Sequence, residues 1–113
     1  MGYYSYMSLY CEIADLKGLK GLLAEIKLQV ASGIATDWQQ ELNLLYLDDD
    51  NELTCEDFYQ KWYYEEQWIR AIAPFIETAE LEFIGEDSER WGYIIEKRKA
   101  YCLEYEKKKG LPL

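Results

Sequence analysis

The sequence has no histidine, and among its 113 residues only two are proline and three are cysteine. Without histidine the chain lacks the commonest general base, the Ser-His and Cys-His nucleophile pairs, and the commonest transition-metal ligand. Cys11, Cys55 and Cys102 are far apart and odd in number, which is not a disulfide framework. They read as reduced thiols of a cytosolic protein, used as small buried hydrophobes. No apolar run approaches the roughly 18 residues of a membrane span. The opening stretch MGYYSYMSLY has no basic residue ahead of its apolar part, so it does not read as a secretory signal. Tyr6 stands where a myristoylation motif has Ser or Thr. The expected location is the cytoplasm.

Basic residues are also scarce. Twelve Lys and Arg face 22 Asp and Glu, for a formal charge of −10. Residues 37–66 carry ten of the acids and one base, Lys61, and so account for −9. Charge this concentrated opposes compaction and repels DNA, RNA and anionic lipid. Its expected counterpart is a basic protein partner, without direct contact to nucleic acid or membrane. Half the residues are hydrophobic and 16% are aromatic. A disordered acidic chain lacks such aromatics, and 113 residues suit a single domain, 1–113.

Residues 3–13 alternate, with Met7, Leu9, Cys11 and Ile13 on one side and Tyr4, Tyr6, Ser8, Tyr10 and Glu12 on the other, which predicts a strand. Leu16, Leu19, Leu22, Leu23, Ile26 and Val30 recur at helical spacing, with Asp15 as N-cap and Gly33 as stop. Gly18 and Gly21 suggest a close approach of this helix to the sheet. Asp37 is placed as the cap of a short helix with Trp38, Leu42 and Leu45 inward. Asp48-Asp49-Asp50-Asn51 is a loop by composition. Thr54 with Asp57 three residues on resembles a capping box. The helix it opens is expected to run to Ala73, ahead of Pro74, with Phe58, Trp62, Ile69 and Ile72 as its core stripe. Strands follow at Leu81–Phe83, at Trp91–Ile95 and at Tyr101–Tyr105, separated by turns at 85–88 and 96–99, and a tail from Lys107 is expected to fray. The order β-α-(α)-α-β-β-β gives an α+β fold: an antiparallel sheet of about four strands with two or three helices on one face.

Three chemical readings fail on spacing or setting. Aligned as a calcium loop, residues 46–57 put Tyr46 at the first ligand position and lack both the central Gly and the bidentate Glu. No metal or other cofactor is expected. The paired acids Glu65-Glu66, Glu86-Asp87 and Glu80 with Glu82 are sequence neighbours, not carboxylates facing each other across a cleft, so the chain does not read as an enzyme; a small carboxylate-dependent hydrolase is the alternative. Six Lys or Arg lie within residues 97–113, but a nucleic-acid site would work against the net charge. These read as strand-end charges that discourage edge pairing. The surplus aromatics Tyr63, Tyr64 and Trp68 fall off the Phe58–Trp62–Ile69 stripe and suit an interface.

From Trp62-Tyr63-Tyr64-Glu65-Glu66 through Leu81-Glu82-Phe83-Ile84-Gly85-Glu86-Asp87-Ser88-Glu89-Arg90-Trp91-Gly92-Tyr93 to Glu104-Tyr105-Glu106, the chain resembles small acidic proteins of phages and mobile elements of Gram-positive bacteria. Their pattern is an aromatic-acidic helix, an apolar-acidic strand, a Gly-Glu-Asp or Gly-Glu-Gly turn and a Trp-containing strand. The resemblance covers about half the chain; Glu96-Lys97-Arg98-Lys99 departs from it where a Gly-containing turn is expected. Some such proteins are anti-CRISPR proteins that occupy the nucleic-acid surface of an effector. The resemblance implies that setting, in the cytoplasm of a bacterial host. The expected function is a non-enzymatic protein-binding inhibitor, with an immunity protein or antitoxin against a basic toxin as the alternative in the same class. Its expected binding surface is Asp48, Asp49, Asp50, Glu52, Glu56, Asp57, Glu65 and Glu66, with Tyr63, Tyr64 and Trp68 as apolar anchors.

Overall fold

The computed structural model describes residues 3–104 and 109–113. The period-two run at the start forms β1 (Ser5–Ile13), with Ser5 and Met7 buried and Tyr6 and Tyr10 exposed. α1 (Leu16–Ala31) follows, capped by Asp15, whose carboxylate accepts the Gly18 N–H at 2.9 Å. Gly18 sits tight against the ring of Phe75, where a β-carbon has no room. Gly21 faces open space and Phe75 precedes the sheet, so neither glycine marks the expected close approach to the sheet. Gly33 lies beyond the helix end at φ 73°, the left-handed conformation that ends many helices.

α2 (Asp37–Leu42) is capped one residue earlier than expected, at Thr36, whose N–H is taken by the Gln39 side chain. Two short strands, β2 (Leu45–Leu47) and β3 (Leu53–Cys55), then pair as a separate hairpin around the acidic turn. β4 (Tyr59–Gln60) precedes α3 (Glu65–Ile72), which runs into a 3-10 turn at Ala73–Phe75. β5 (Ile76–Gly85), β6 (Arg90–Glu96), β7 (Lys99–Glu104) and β8 (Lys109–Pro112) complete the chain. The main sheet is antiparallel in the order β4-β1-β5-β6-β7-β8, so β1 joins the C-terminal meander by pairing along β5. The result is an α+β fold with the helices on one face of an antiparallel sheet.

Three expectations are corrected. The helix placed from Thr54 to Ala73 is only Glu65–Ile72. Thr54 lies mid-strand in β3, between buried Leu53 and Cys55, and Asp57 accepts the Tyr59 N–H in a local turn instead of closing a capping box. The core favours an extended path here because Leu53, Cys55 and Trp62 all reach it from non-helical backbone. The sheet has six strands where about four were expected. The tail expected to fray supplies β8, whose residues 109–112 pair with β7; Lys107 and Lys108, like Tyr105, lie outside the described residues.

The core lies between the two layers. Met7, Ala79, Leu81, Phe83 and Ile95 of the sheet meet Leu19, Ile26, Leu42, Trp68, Ile69 and Ile72 of the helices, and Leu45 and Leu53 of the hairpin close one side. Trp62, Trp68, Phe83, Trp91 and Tyr93 form a chain of ring contacts with centroids 5.6–6.2 Å apart, within the range of favourable aromatic pairs. Tyr6, Tyr10, Glu80 and Ile84 point from the other face and are exposed. The β6–β7 turn places both Lys97 and Arg98 at positive φ, 49° and 68°. This is the geometry of a two-residue hairpin turn that favours Asn-Gly, and it costs on the order of 1–3 kcal/mol at each non-glycine residue.

Candidate protein-binding surface

The acidic turn is built around Asp48. Its carboxylate accepts the N–H of Asp50 at 2.8 Å and of Glu52 at 3.0 Å, and its own N–H donates to the Glu52 carbonyl. Asn51 takes φ 61°, a conformation tolerated better by Asn than by most residues. Asp48 is thus spent on shaping the turn, while Asp49, Asp50 and Glu52 are exposed at its tip. Glu56 and Asp57 are exposed where β3 leaves the hairpin, and Glu66 is exposed in the first turn of α3, where the helix dipole favours it.

Glu65 and Trp68, placed on this surface by sequence, turn inward. Glu65, Trp68, Ile69 and Ile72 fall at i, i+3, i+4 and i+7 on α3 and are its buried face. The true stripe was hidden by running the Phe58 and Trp62 pattern through a helix that starts only at Glu65. Tyr63 stays exposed, and Tyr64 is half-buried.

The buried carboxylates form a network that the sequence reading missed. Glu41 on α2 accepts the N–H groups of Tyr63 and Tyr64 at the start of α3, and the Trp68 indole N–H at 3.0 Å. It therefore serves donors that a helix N-terminus leaves unpaired. Glu65 accepts the Trp91 indole N–H at 3.0 Å and the Tyr93 hydroxyl at 3.3 Å, and its Oε2 is buried with no hydrogen-bond partner. Burial pushes both carboxyls above their ordinary value of 4.5, against the opposing pull of these hydrogen bonds. Tyr93 is raised in turn, by burial and by the Glu65 charge. No sequence signal marked Glu41; for Glu65 the i, i+3, i+4, i+7 spacing with Trp68, Ile69 and Ile72 was the available one.

A second acidic cluster sits at the other hairpin. The β5–β6 turn carries Glu86, Asp87 and Glu89, all exposed. The N-terminal segment is stapled to it: the Tyr3 hydroxyl donates to Asp87, and the Tyr4 N–H to Glu86 at 2.7 Å. The Asp87 contact lifts the Tyr3 hydroxyl to about 12 and lowers the Asp87 carboxyl. Gly85 is required here, because a β-carbon would occupy the Tyr3 ring position. Beside this turn, Tyr6 pairs across to Tyr59 on one side and Ile84 on the other, and all three are exposed. Tyr4 stacks on Tyr59 at 5.2 Å and holds the Lys61 ammonium 5.4 Å from its ring centre.

Among the described residues the one ion pair is Arg90 with Glu82, at 2.9 Å. No group of three or more Cys, Asp or Glu side chains is arranged to hold a metal ion among them. Three surface grooves are lined by residues of α1 and the β2–β3 hairpin, of the 3-10 turn and the β6–β7 turn, and of the open sheet face; neither Glu41 nor Glu65 lines any of them. No helix among the described residues is long and apolar enough to cross a membrane. No protein-family model, curated protein or solved structure matches the chain.

Proposed function

We propose that this protein is a non-enzymatic inhibitor that uses its acidic surface to occupy the basic, nucleic-acid-binding groove of another protein. The resemblance to small acidic phage proteins makes a host defence effector of CRISPR type the partner to test first. The observation that carries the reading is the uncompensated charge. Asp49, Asp50, Glu52, Glu56 and Glu66 are exposed, and none has a cationic partner among the described residues. Like charges held together cost stability, and a basic partner would return that cost on binding. The carboxylates would stand opposite Lys and Arg that otherwise hold phosphates, and would steer the encounter at long range. Tyr63, with Tyr6, Tyr59 and Ile84, supplies exposed apolar area of the kind that anchors interfaces. Tyr64 contributes at most an edge, and Glu65 and Trp68 act from beneath by fixing α3.

The carboxylate-hydrolase alternative has two carboxyls with raised proton affinity, but neither lines any of the three grooves described above. The experiment that tests the proposal is equilibrium binding to a panel of purified RNA-guided effectors and basic nuclease toxins, with and without target nucleic acid. The expected result is salt-sensitive binding to one of them that nucleic acid competes away. A toxin as the partner would keep the surface and move the protein to the antitoxin class. Binding to none, or binding indifferent to nucleic acid, overturns the proposal.

A further inference from the structure

The hairpin of β2 and β3 has a free edge. β2 pairs with β3 alone. Along that pair the Asp48 N–H donates to the Glu52 carbonyl at 2.9 Å and the Glu56 N–H to the Leu44 carbonyl at 3.4 Å. Opposite residues of an antiparallel pair alternate between bonded and non-bonded. With Leu44 and Asp48 bonded, the backbone N–H and C=O groups of Leu45 and Leu47 point away from β3. They have no hydrogen-bond partner among the described residues. Leu45 is only 3% exposed, and backbone groups of buried residues are nearly always paired.

A groove of about 740 Å³ lies along this edge. Residues 43–48 line it without a break, whereas Leu53, Thr54 and Cys55 of β3 do not. The groove therefore runs beside β2 and not across the face of the hairpin. Its other wall is Lys20, Leu23, Ala24 and Lys27, one face of α1 at i, i+3, i+4 and i+7. From Lys20 to Lys27 the helix rises about 10 Å, and a strand of three residues such as β2 covers about the same length. Edge strands are commonly blunted by Lys or Pro. β8 carries Lys109 and Pro112, but β2 is Leu-Tyr-Leu and has neither.

We propose that an extended segment of a partner protein docks in this groove as a third strand of the hairpin, paired with Leu45 and Leu47. Alternating free N–H and C=O groups at strand spacing are matched by the backbone of another strand. Leu23 and Leu44 in the lining suit apolar residues at alternate positions of the segment. Lys20 and Lys27 stand at the two ends of the α1 wall, and neither is ion-paired among the described residues. On the opposite wall the Asp48 carboxylate is taken up by the turn N–H groups. The segment that fits is thus acidic rather than basic at its ends. A second copy of this chain fits poorly, because it would set two acidic turns, each with Asp49, Asp50 and Glu52 exposed, beside one another. The pairing needs none of the exposed carboxylates and does not rest on the inhibitor reading.

The test is an NMR titration of the folded protein with the peptide acetyl-Glu-Val-Thr-Val-Glu-amide, its Lys-ended counterpart and N-methylated forms. The expected result is saturable shifts at the amides of Ala24, Leu45, Tyr46 and Leu47, with the Glu-ended peptide binding about tenfold more tightly than the Lys-ended one. Methylating both Val nitrogens should abolish binding and methylating the Thr nitrogen should not, because in antiparallel pairing the Val N–H groups face the Leu45 and Leu47 carbonyls. The reverse pattern would place the segment parallel on the same edge and support the proposal equally. Lys20→Glu combined with Lys27→Glu, both exposed on α1, should reverse the preference between the two peptides. The proposal is overturned by no saturable shift with either peptide at millimolar concentration, by equal affinity of the two methylated forms, or by a preference unmoved in the double variant. A chain that sediments as a dimer with its Leu45 and Leu47 amides protected from exchange also overturns it, since a second copy then holds the edge.

Discussion

Glu65 carries one carboxylate oxygen with two donors and another with none, in a setting where less than a tenth of the residue is exposed. Such a group is easier to bury neutral than charged. Its proton affinity, like that of Glu41, is raised on folding. The stability contributed by the neutral form is therefore fully present below the ordinary value of 4.5 and is lost as pH rises through the higher folded value. Asp87 has the opposite sign, but it is fully exposed and solvent screens it. The protein should thus lose stability between acidic and neutral pH, and Glu65→Gln, which cannot ionise, should flatten that decline. Urea midpoints at pH 5 and pH 8 measure it; an unchanged slope in Glu65→Gln would count against a buried charge here. Trp68 makes a different demand. Its ring is wholly buried and its indole N–H serves Glu41. Trp68→Ala should cost about 3–5 kcal/mol, read from denaturant unfolding, and a loss under 1 kcal/mol would contradict its place in the core.

The elements show which sequence signals survive folding. β1 and β5 were legible because their alternation matches one buried and one open face, and the register pairs Met7 with Phe83 and Leu9 with Leu81. Slow amide exchange is expected in both, and fast exchange throughout residues 5–13 would sink this pairing. α1 was legible from its apolar period and its Asp15 cap. The stretch from β2 to α3 was not. β2, β3 and β4 have three, three and two residues, too short for any period to register. β2 and β3 are held by pairing with each other and by Leu45, Leu53 and Cys55 in the core, and β4 by pairing with β1, none of which a local pattern encodes. The start of α3 depends on Glu41, 22 residues before the Tyr63 N–H that it accepts. Of the acidic surface, the exposed turn at Asp49 and Asp50 was readable from composition, whereas the inward aim of Glu65 and Trp68 follows from a helix phase fixed by that remote carboxylate. The β6–β7 turn offers an element-scale test of strain. Replacing Lys97-Arg98 by Asn-Gly should stabilise the fold by about 1 kcal/mol or more, seen as a higher midpoint; no gain would mean that the turn relaxes at no cost.

At the scale of the molecule, charge is distributed against the fold. A formal −10 with one ion pair among the described residues leaves most of the acidic charge without a paired cation there. Mobile ions screen such charge within about 8–10 Å at physiological strength. Partner association should therefore slow steeply as salt rises, whereas dissociation, governed by close contacts, should change little. Reversing Asp49, Asp50 and Glu52 to Lys tests this without touching Asp48, whose carboxylate shapes the turn. The three side chains are exposed and receive no hydrogen bond from the described residues, so the fold should tolerate their reversal within about 0.5 kcal/mol for each. Reduced self-repulsion works against that cost. Association with the partner should fall at least tenfold at low salt, and the salt dependence should flatten with it. Tyr63→Ala should act on dissociation instead, as expected of an anchor. Stopped-flow or surface-binding kinetics resolve the two. If the triple reversal leaves the association rate unchanged at low salt, the charge serves solubility alone and the acidic surface is not the docking site.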